Sequence, residues 1–145
     1  PLDGYFDELK RVSKNQIIWG GNYFGLPSTR CFLIWDKENG KNPFADCEYA
    51  WTSFNNSARI FRKFWLGSHC SDVIDLIHPT QKPVALYDWI FKNYAEQGFK
   101  ILDTHGGSMS SVISADKAGL EMVCCELDKA VDRFQKYKSQ YKLAI

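Results

Sequence analysis

No apolar run in the 145 residues approaches the roughly 18 that a membrane-spanning helix needs, and no signal-peptide pattern opens the chain. No membrane partner is expected. Excess charge of one sign is missing too: 18 Lys and Arg stand against 17 Asp and Glu, a net +1. Bulk electrostatics therefore neither demand nor exclude nucleic acid, and any basic footprint must be local. The five cysteines lack Cys-x-x-Cys spacing, are odd in number, and include Cys124 and Cys125 side by side in an apolar run. Reduced structural thiols of a cytosolic protein are expected, rather than disulfides or zinc. His69, Cys70 and Asp72 come nearest to a metal group, but they lack a fourth ligand and a partner pair, so no metal is expected. Gly-x-Gly-x-x-Gly is also absent, which argues against a nicotinamide-dinucleotide half-domain. What the chain does have is 45% apolar and 15% aromatic residues, with five Trp, and this argues for a packed core over disorder. At this length a single domain spanning 1–145 is expected.

The organising stretch is Phe99 to Asp128, FKILDTHGGSMSSVISADKAGLEMVCCELD. Phe99, Ile101 and Leu102 form a short strand, which Asp103, Thr104, His105, Gly106 and Gly107 break with turn chemistry. From Ser108 to Ala118, Val112, Ile113, Ala115 and Ala118 recur at helical spacing, and Gly119 is the residue expected just past a helix end. Met122 to Cys125 then form a second strand that stops at Glu126 and Asp128. This is a βαβ unit, and its parts suit an adenosine-bearing cofactor. Glycines admit close backbone approach, a helix amino terminus offers free N–H groups, and a carboxylate ending the second strand can hold ribose hydroxyls about 20 residues on. A turn of this kind also closes α/β units that bind nothing, and the residues alone leave both readings open.

In the rest of the chain, Pro1 to Lys14 place Tyr5, Phe6, Leu9 and Val12 on one face of a short amphipathic helix. Ile17 to Trp19 read as a strand emptying into a loop of glycine, amide and aromatic residues that contains Asn22, Tyr23 and Phe24. Such loops at strand ends either bind ligands or simply pack their aromatics on the core. CFLIW (31–35) and CEYAWTSF (47–54), separated by a turn-rich segment, read as an antiparallel hairpin. Asn55 to Gly67 set Arg59, Arg62 and Lys63 among Phe61, Phe64 and Trp65, which suits phosphate contact with base stacking and equally suits an ordinary wet edge strand. In His78 to Gly98, two prolines bracket a polar turn before an amphipathic helix closed by Gly98. Lys129 to Ile145 read as a charged helix with Val131, Phe134, Tyr137 and Tyr141 along one side.

Three of these stretches resemble the DNA amino-methyltransferases, the family that methylates adenine N6 or cytosine N4. ILDTHGGSMSS resembles motif I, Asp-Pro-Phe-x-Gly-Ser-Gly-Thr-Thr. Asp103, Gly107 and Ser108 match; Thr104, His105, Met109, Ser110 and Ser111 depart, and Met109 replaces a family glycine and narrows the cradle. His-Pro-Thr-Gln-Lys-Pro (78–83) is similar to motif X over all six residues and lies directly upstream of motif I, as in the permuted β-type order. RVSKNQIIWGGNYF looks like the segment after the catalytic strand of phage and bacterial adenine methyltransferases. The resemblance implies a Rossmann-like, circularly permuted α/β methyltransferase fold, with a mixed sheet edged by the antiparallel hairpin. It implies S-adenosylmethionine as cofactor, held by Asp103, Thr104, His105, Gly107, Ser108 and Glu126, with Thr80, Gln81 and Lys82 along its methionine end. It implies double-stranded DNA as partner, with Asn22, Tyr23 and Phe24 near the target base, Arg59, Arg62 and Lys63 on DNA, and residues 54–76 as a recognition insert. A cytoplasmic setting in a bacterial or phage-infected cell follows, within restriction-modification or a related role, and a homodimer is compatible with it.

Methyl transfer to an exocyclic amine needs a sulfonium donor, a base lifted from the stack, and acceptors for the amino protons. The family supplies the acceptors from an Asp- or Asn-Pro-Pro-Tyr loop. That tetrapeptide does not occur here, and Asn42-Pro43-Phe44 lies in the hairpin loop. No catalytic residue is therefore visible. In the permuted order the motif should precede residue 1, so the fold is expected to be incomplete at its N-terminus. A catalytically inactive or truncated cofactor- or DNA-binding module is the alternative reading.

Overall fold

The computed structural model describes residues 3–66, 78, 80–127, 132, 135 and 139. The helix expected at 129–145, residues 67–76 of the recognition insert, and His69, Cys70 and Asp72 lie outside the described residues or nearly so. The chain divides into two compact units, 1–65 and 66–145.

In the first unit, helix α1 (Tyr5–Val12) carries Asp7 and Glu8 in its first turn and Lys10 and Arg11 in its last, the order that suits a helix dipole. Arg11 donates to both oxygens of Glu8 at 2.6 and 2.7 Å. The helix is shorter than the fourteen-residue periodic stretch, and none of its residues is buried. Ser13 ends it by turning its hydroxyl back to the Leu9 carbonyl.

The strands are β1 (Ile17–Trp19), β2 (Phe32–Asp36), β3 (Cys47–Thr52) and β4 (Arg59–Arg62). They form one mixed sheet in the order β1-β3-β2-β4, in which β3 runs antiparallel to β1 and β2 while β4 runs parallel to β2. The expected hairpin is present, but its two strands are the inner pair of this sheet rather than its edge. β3 pairs with both β1 and β2, and β2 with both β3 and β4, so neither hairpin strand is left at an edge. Cys31, Leu33, Trp35 and Ala50 are fully buried, and on the opposite face the Phe32 and Tyr49 rings stack at 5.7 Å. The shorter, charged β4 takes the outer place on the β2 side.

In the second unit, α2 (Val84–Tyr94), β5 (Lys100–Asp103), α3 (Ser110–Ala118) and β6 (Glu121–Cys124) follow in order. Parallel pairing of β5 with β6, from Lys100 opposite Glu121 to Asp103 opposite Cys124, makes the βαβ unit read from the sequence. Gly119 closes α3 in the left-handed region at φ 66, as its position suggested. Gly98 does not close α2: that helix ends at Ala95, and Gly98, at φ 88, serves the turn into β5. The two helices pack on each other, with Asp88 of α2 accepting from Ser114 at 2.6 Å and from Lys117 at 2.7 Å. No helix among the described residues is long and apolar enough to cross a membrane.

Candidate functional site

The second unit focuses on the turn between β5 and α3. The β ladder runs past the strands: Cys125 N–H donates to the Asp103 carbonyl at 2.8 Å, and Gly106 N–H donates to the Cys125 carbonyl at 2.9 Å. The glycine turn is therefore tied across the end of β6. Asp103 holds it from the other side. One carboxylate oxygen accepts His105 N–H at 2.9 Å and the other accepts the Ser111 hydroxyl at 2.5 Å, so this side chain joins the start of the turn to the first turn of α3.

Gly107 has φ +53, a left-handed conformation suited to glycine. Its N–H donates to Glu126 Oε2 at 2.6 Å, across 19 residues, and Leu127 N–H donates to Oε1 at 2.8 Å. Glycine and carboxylate, paired in the sequence only by spacing, thus meet directly.

Met109 also lies in the left-handed region, at φ 65, and its side chain is buried. A side chain on Gly106 would meet the Met109 thioether at 2.9 Å and the Cys124 sulfur closer still. The thioether therefore takes up space within the turn, as the replacement of a family glycine implied. The position opposite is more open: a Cβ on Gly107 would come no nearer than 3.6 Å, at the His78 imidazole.

The His78–Pro83 segment reaches the same corner. Thr80 N–H lies 3.3 Å and its hydroxyl 3.0 Å from His78 Nδ1, Gln81 N–H donates to the His78 carbonyl at 3.1 Å, and Gln81 is buried. Ser110, at the start of α3, donates to the Lys82 carbonyl at 2.6 Å and shares a 2.8 Å bond with Ser108. Ser110, which departs from the motif pattern, thus fastens the main chain at Lys82 to α3.

The structure brings Asp103, Thr104, His105, Gly107, Ser108, Glu126, Thr80, Gln81 and Lys82 into one unit. The expected DNA-side residues belong to the other. Asn22 and Tyr23 sit in a single 3-10 turn, with Tyr23 83% exposed, while Phe24 turns to Phe6 of α1 at 5.0 Å. Arg59 and Arg62 are three apart on β4 and so point to opposite faces of the sheet. Arg62 sits 3.4 Å from Asp36, an exposed pair. Lys63 gives its carbonyl to Trp35 Nε1. The three basic residues therefore do not form one stripe.

Sequence reasoning missed Ser111 and Cys124. Burial pushes the Cys124 thiol up to about 12, and the charges of Asp103, Cys125 and Glu126 add to it. At pH 8 this thiol stays protonated. With iodoacetamide at that pH, Cys124 is expected to be modified after the exposed Cys47 and Cys125, as mass spectrometry of timed samples would show. The folded thiol ionises above its ordinary 9.0, so the stability it contributes is complete below about pH 9 and is lost as pH rises toward 12. Among the described residues no three His, Cys, Asp or Glu side chains gather as a metal group.

No family model and no curated protein matches this sequence. Twelve chains of solved structures do. One is the crystal structure of the M1.HpyAVI–SAM complex, at 21% identity and a TM-score of 0.52, over 74% of this chain and 59% of that one. This chain thus spans less than two thirds of that protein, and what the two share is the α/β fold.

Proposed function

We propose that this chain binds S-adenosylmethionine through the corner at Gly107 and Glu126, as part of a DNA amino-methyltransferase that methylates adenine N6 or cytosine N4. One observation carries the reading: a left-handed glycine and a strand-end carboxylate, 19 residues apart, meet beside the His78–Lys82 turn. The fold shared with a protein solved as a SAM complex supports it. The corner also suits the ligand chemically. The Glu126 carboxylate accepts from Gly107 N–H on one oxygen and from Leu127 N–H on the other, which turns it to the glycine corner. A carboxylate offers two acceptor oxygens, the number that a vicinal ribose diol requires.

The bound donor would supply a methyl group made electrophilic by the sulfonium. Residues of this chain would bind and orient it: Glu126 at the ribose, the turn 103–108 beside it, and Thr80 to Lys82 toward the carboxylate end. Cys124, held as a neutral thiol, offers no competing thiolate nucleophile to such a methyl group. Double-stranded DNA would be the substrate, with a basic residue on one face of β4, Arg59 or Arg62, as candidate phosphate contact. In titration calorimetry, S-adenosylmethionine is expected to bind, and 2′-deoxyadenosine about tenfold or more weaker than adenosine, because one charge-assisted hydrogen bond is lost. Absence of binding to any of the three would end this reading.

The second reading is a catalytically inactive cofactor- or DNA-binding module. Incubation of the full-length protein with methyl-labelled donor and unmethylated DNA separates the two. Label in DNA supports the enzyme, and donor binding without label supports the module.

A further inference from the structure

We propose that Glu126 is a positioning residue for the glycine turn before it is a ligand for anything else: it sets the turn's conformation in the protein without cofactor. The inference rests on the cofactor reading only for its consequence at the ligand.

Two residues of the turn, Gly107 at φ 53 and Met109 at φ 65, occupy the left-handed region within three positions, and Met109 has a side chain that disfavours it. A turn of this kind persists only where its surroundings fix it. Three bonds fix this one from outside the glycines. Asp103 takes His105 N–H, the Cys125 carbonyl takes Gly106 N–H, and Glu126 takes Gly107 N–H. Only the last reaches the residue on which a ligand would rest. It is also the shortest of the three, at 2.6 Å against 2.9 Å for the other two.

The carboxylate is in turn held by the backbone after it, through Leu127 N–H at 2.8 Å. Glu126 therefore bridges two stretches of main chain, the turn after β5 and the exit of β6. A ligand arriving at this corner meets a carboxylate whose rotamer is already set and an amide whose direction is already chosen, and neither need be ordered on binding. The side chain acts on the ligand both directly and through Gly107.

Amide hydrogen exchange on the cofactor-free chain tests this, read by NMR at single residues. Gly107 N–H is expected to exchange at least tenfold faster in Glu126→Ala than in the unaltered protein, while Ser114 and Ala115 within α3 keep their rates. Glu126→Gln should fall between, because its carbonyl can still accept from Gly107 while its amide group opposes Leu127 N–H. This second variant retains the side-chain volume and decides the matter should the alanine variant unfold. Equal Gly107 exchange in all folded forms would overturn the inference. Should Gly107 respond as expected while S-adenosylmethionine fails to bind the unaltered chain, the positioning role stands and the cofactor reading falls. Should donor affinity drop in both variants with Gly107 exchange unmoved, the cofactor reading stands and the positioning role falls.

Discussion

Replacing Asp103 with alanine is expected to lower the stability of the second unit by about 3 kcal/mol, since it removes the acceptor for two hydrogen bonds to a charged group. Both carboxylate oxygens are engaged, one by His105 N–H and one by the Ser111 hydroxyl. Ser111 is 3% exposed, so the alanine variant leaves a buried hydroxyl whose partner is gone, and that penalty adds to the lost bonds. Asparagine should behave differently. Its carbonyl can still accept from His105, and its amide can donate to Ser111, because a serine hydroxyl reverses its role by rotation. The loss for Asp103→Asn is expected to stay below about 1.5 kcal/mol, half the alanine effect. Urea unfolding followed by circular dichroism compares the three forms, and an alanine variant as stable as the parent would show that the two bonds contribute nothing. Donor affinity should follow the same order, because Asp103 fixes where the turn leaves β5.

That result would place Asp103 in a role the sequence could not reveal. The residue was legible as the end of a strand and as a match to a family motif, and both suggested a ligand contact. Its partner is Ser111, eight positions on, one of the two serines that depart from that motif. Local rules read what is local. The left-handed close of α3 at Gly119, the strand at Ile17–Trp19 and the βαβ unit followed from periodicity and turn chemistry. Helix ends were harder to place, because Ala95 and not Gly98 terminates α2, and the choice depends on where β5 must begin. Bonds that distant side chains make left no sequence signal. Ser114 meets Asp88 across 26 residues, and Ser110 meets Lys82 across 28, both through hydroxyls that composition alone treats as surface. The place of the hairpin failed for a related reason. Nothing in Arg59–Arg62 says that it pairs in parallel with β2, which requires a crossover after β3 rather than a second tight turn. The 19-residue spacing of Gly107 and Glu126 was legible, whereas the direct bond between them was not, because spacing suggests a shared ligand and says nothing of the two groups binding each other.

In the first unit the largest single effect is expected at Trp35. Its side chain is fully buried, stands edge-on to Trp65 at 5.7 Å, and donates from Nε1 to the Lys63 carbonyl at 3.3 Å. The Lys37 ammonium lies 5.2 Å from the ring, over its face, and pairs with Glu48 at 3.0 Å. One ring thus joins β2 to the segment after β4, and alanine there would open a cavity where the two indoles meet. The expected cost is about 3–5 kcal/mol, the range for truncating a buried large aromatic. Phenylalanine keeps most of the apolar volume but cannot donate to Lys63, so about 1–2 kcal/mol should be lost. The distinguishing measurement is local. In Trp35→Phe, amide exchange should rise first at Lys63 and Trp65, whose N–H groups donate to the Asp36 and Lys37 carbonyls, and only weakly at β1 and β3. If exchange rises evenly across the sheet, the indole bond does not hold β4 in place. β4 would then owe its position to its ladder with β2 alone, and Arg62 would be presented by the strand pairing that sets it opposite Asp36.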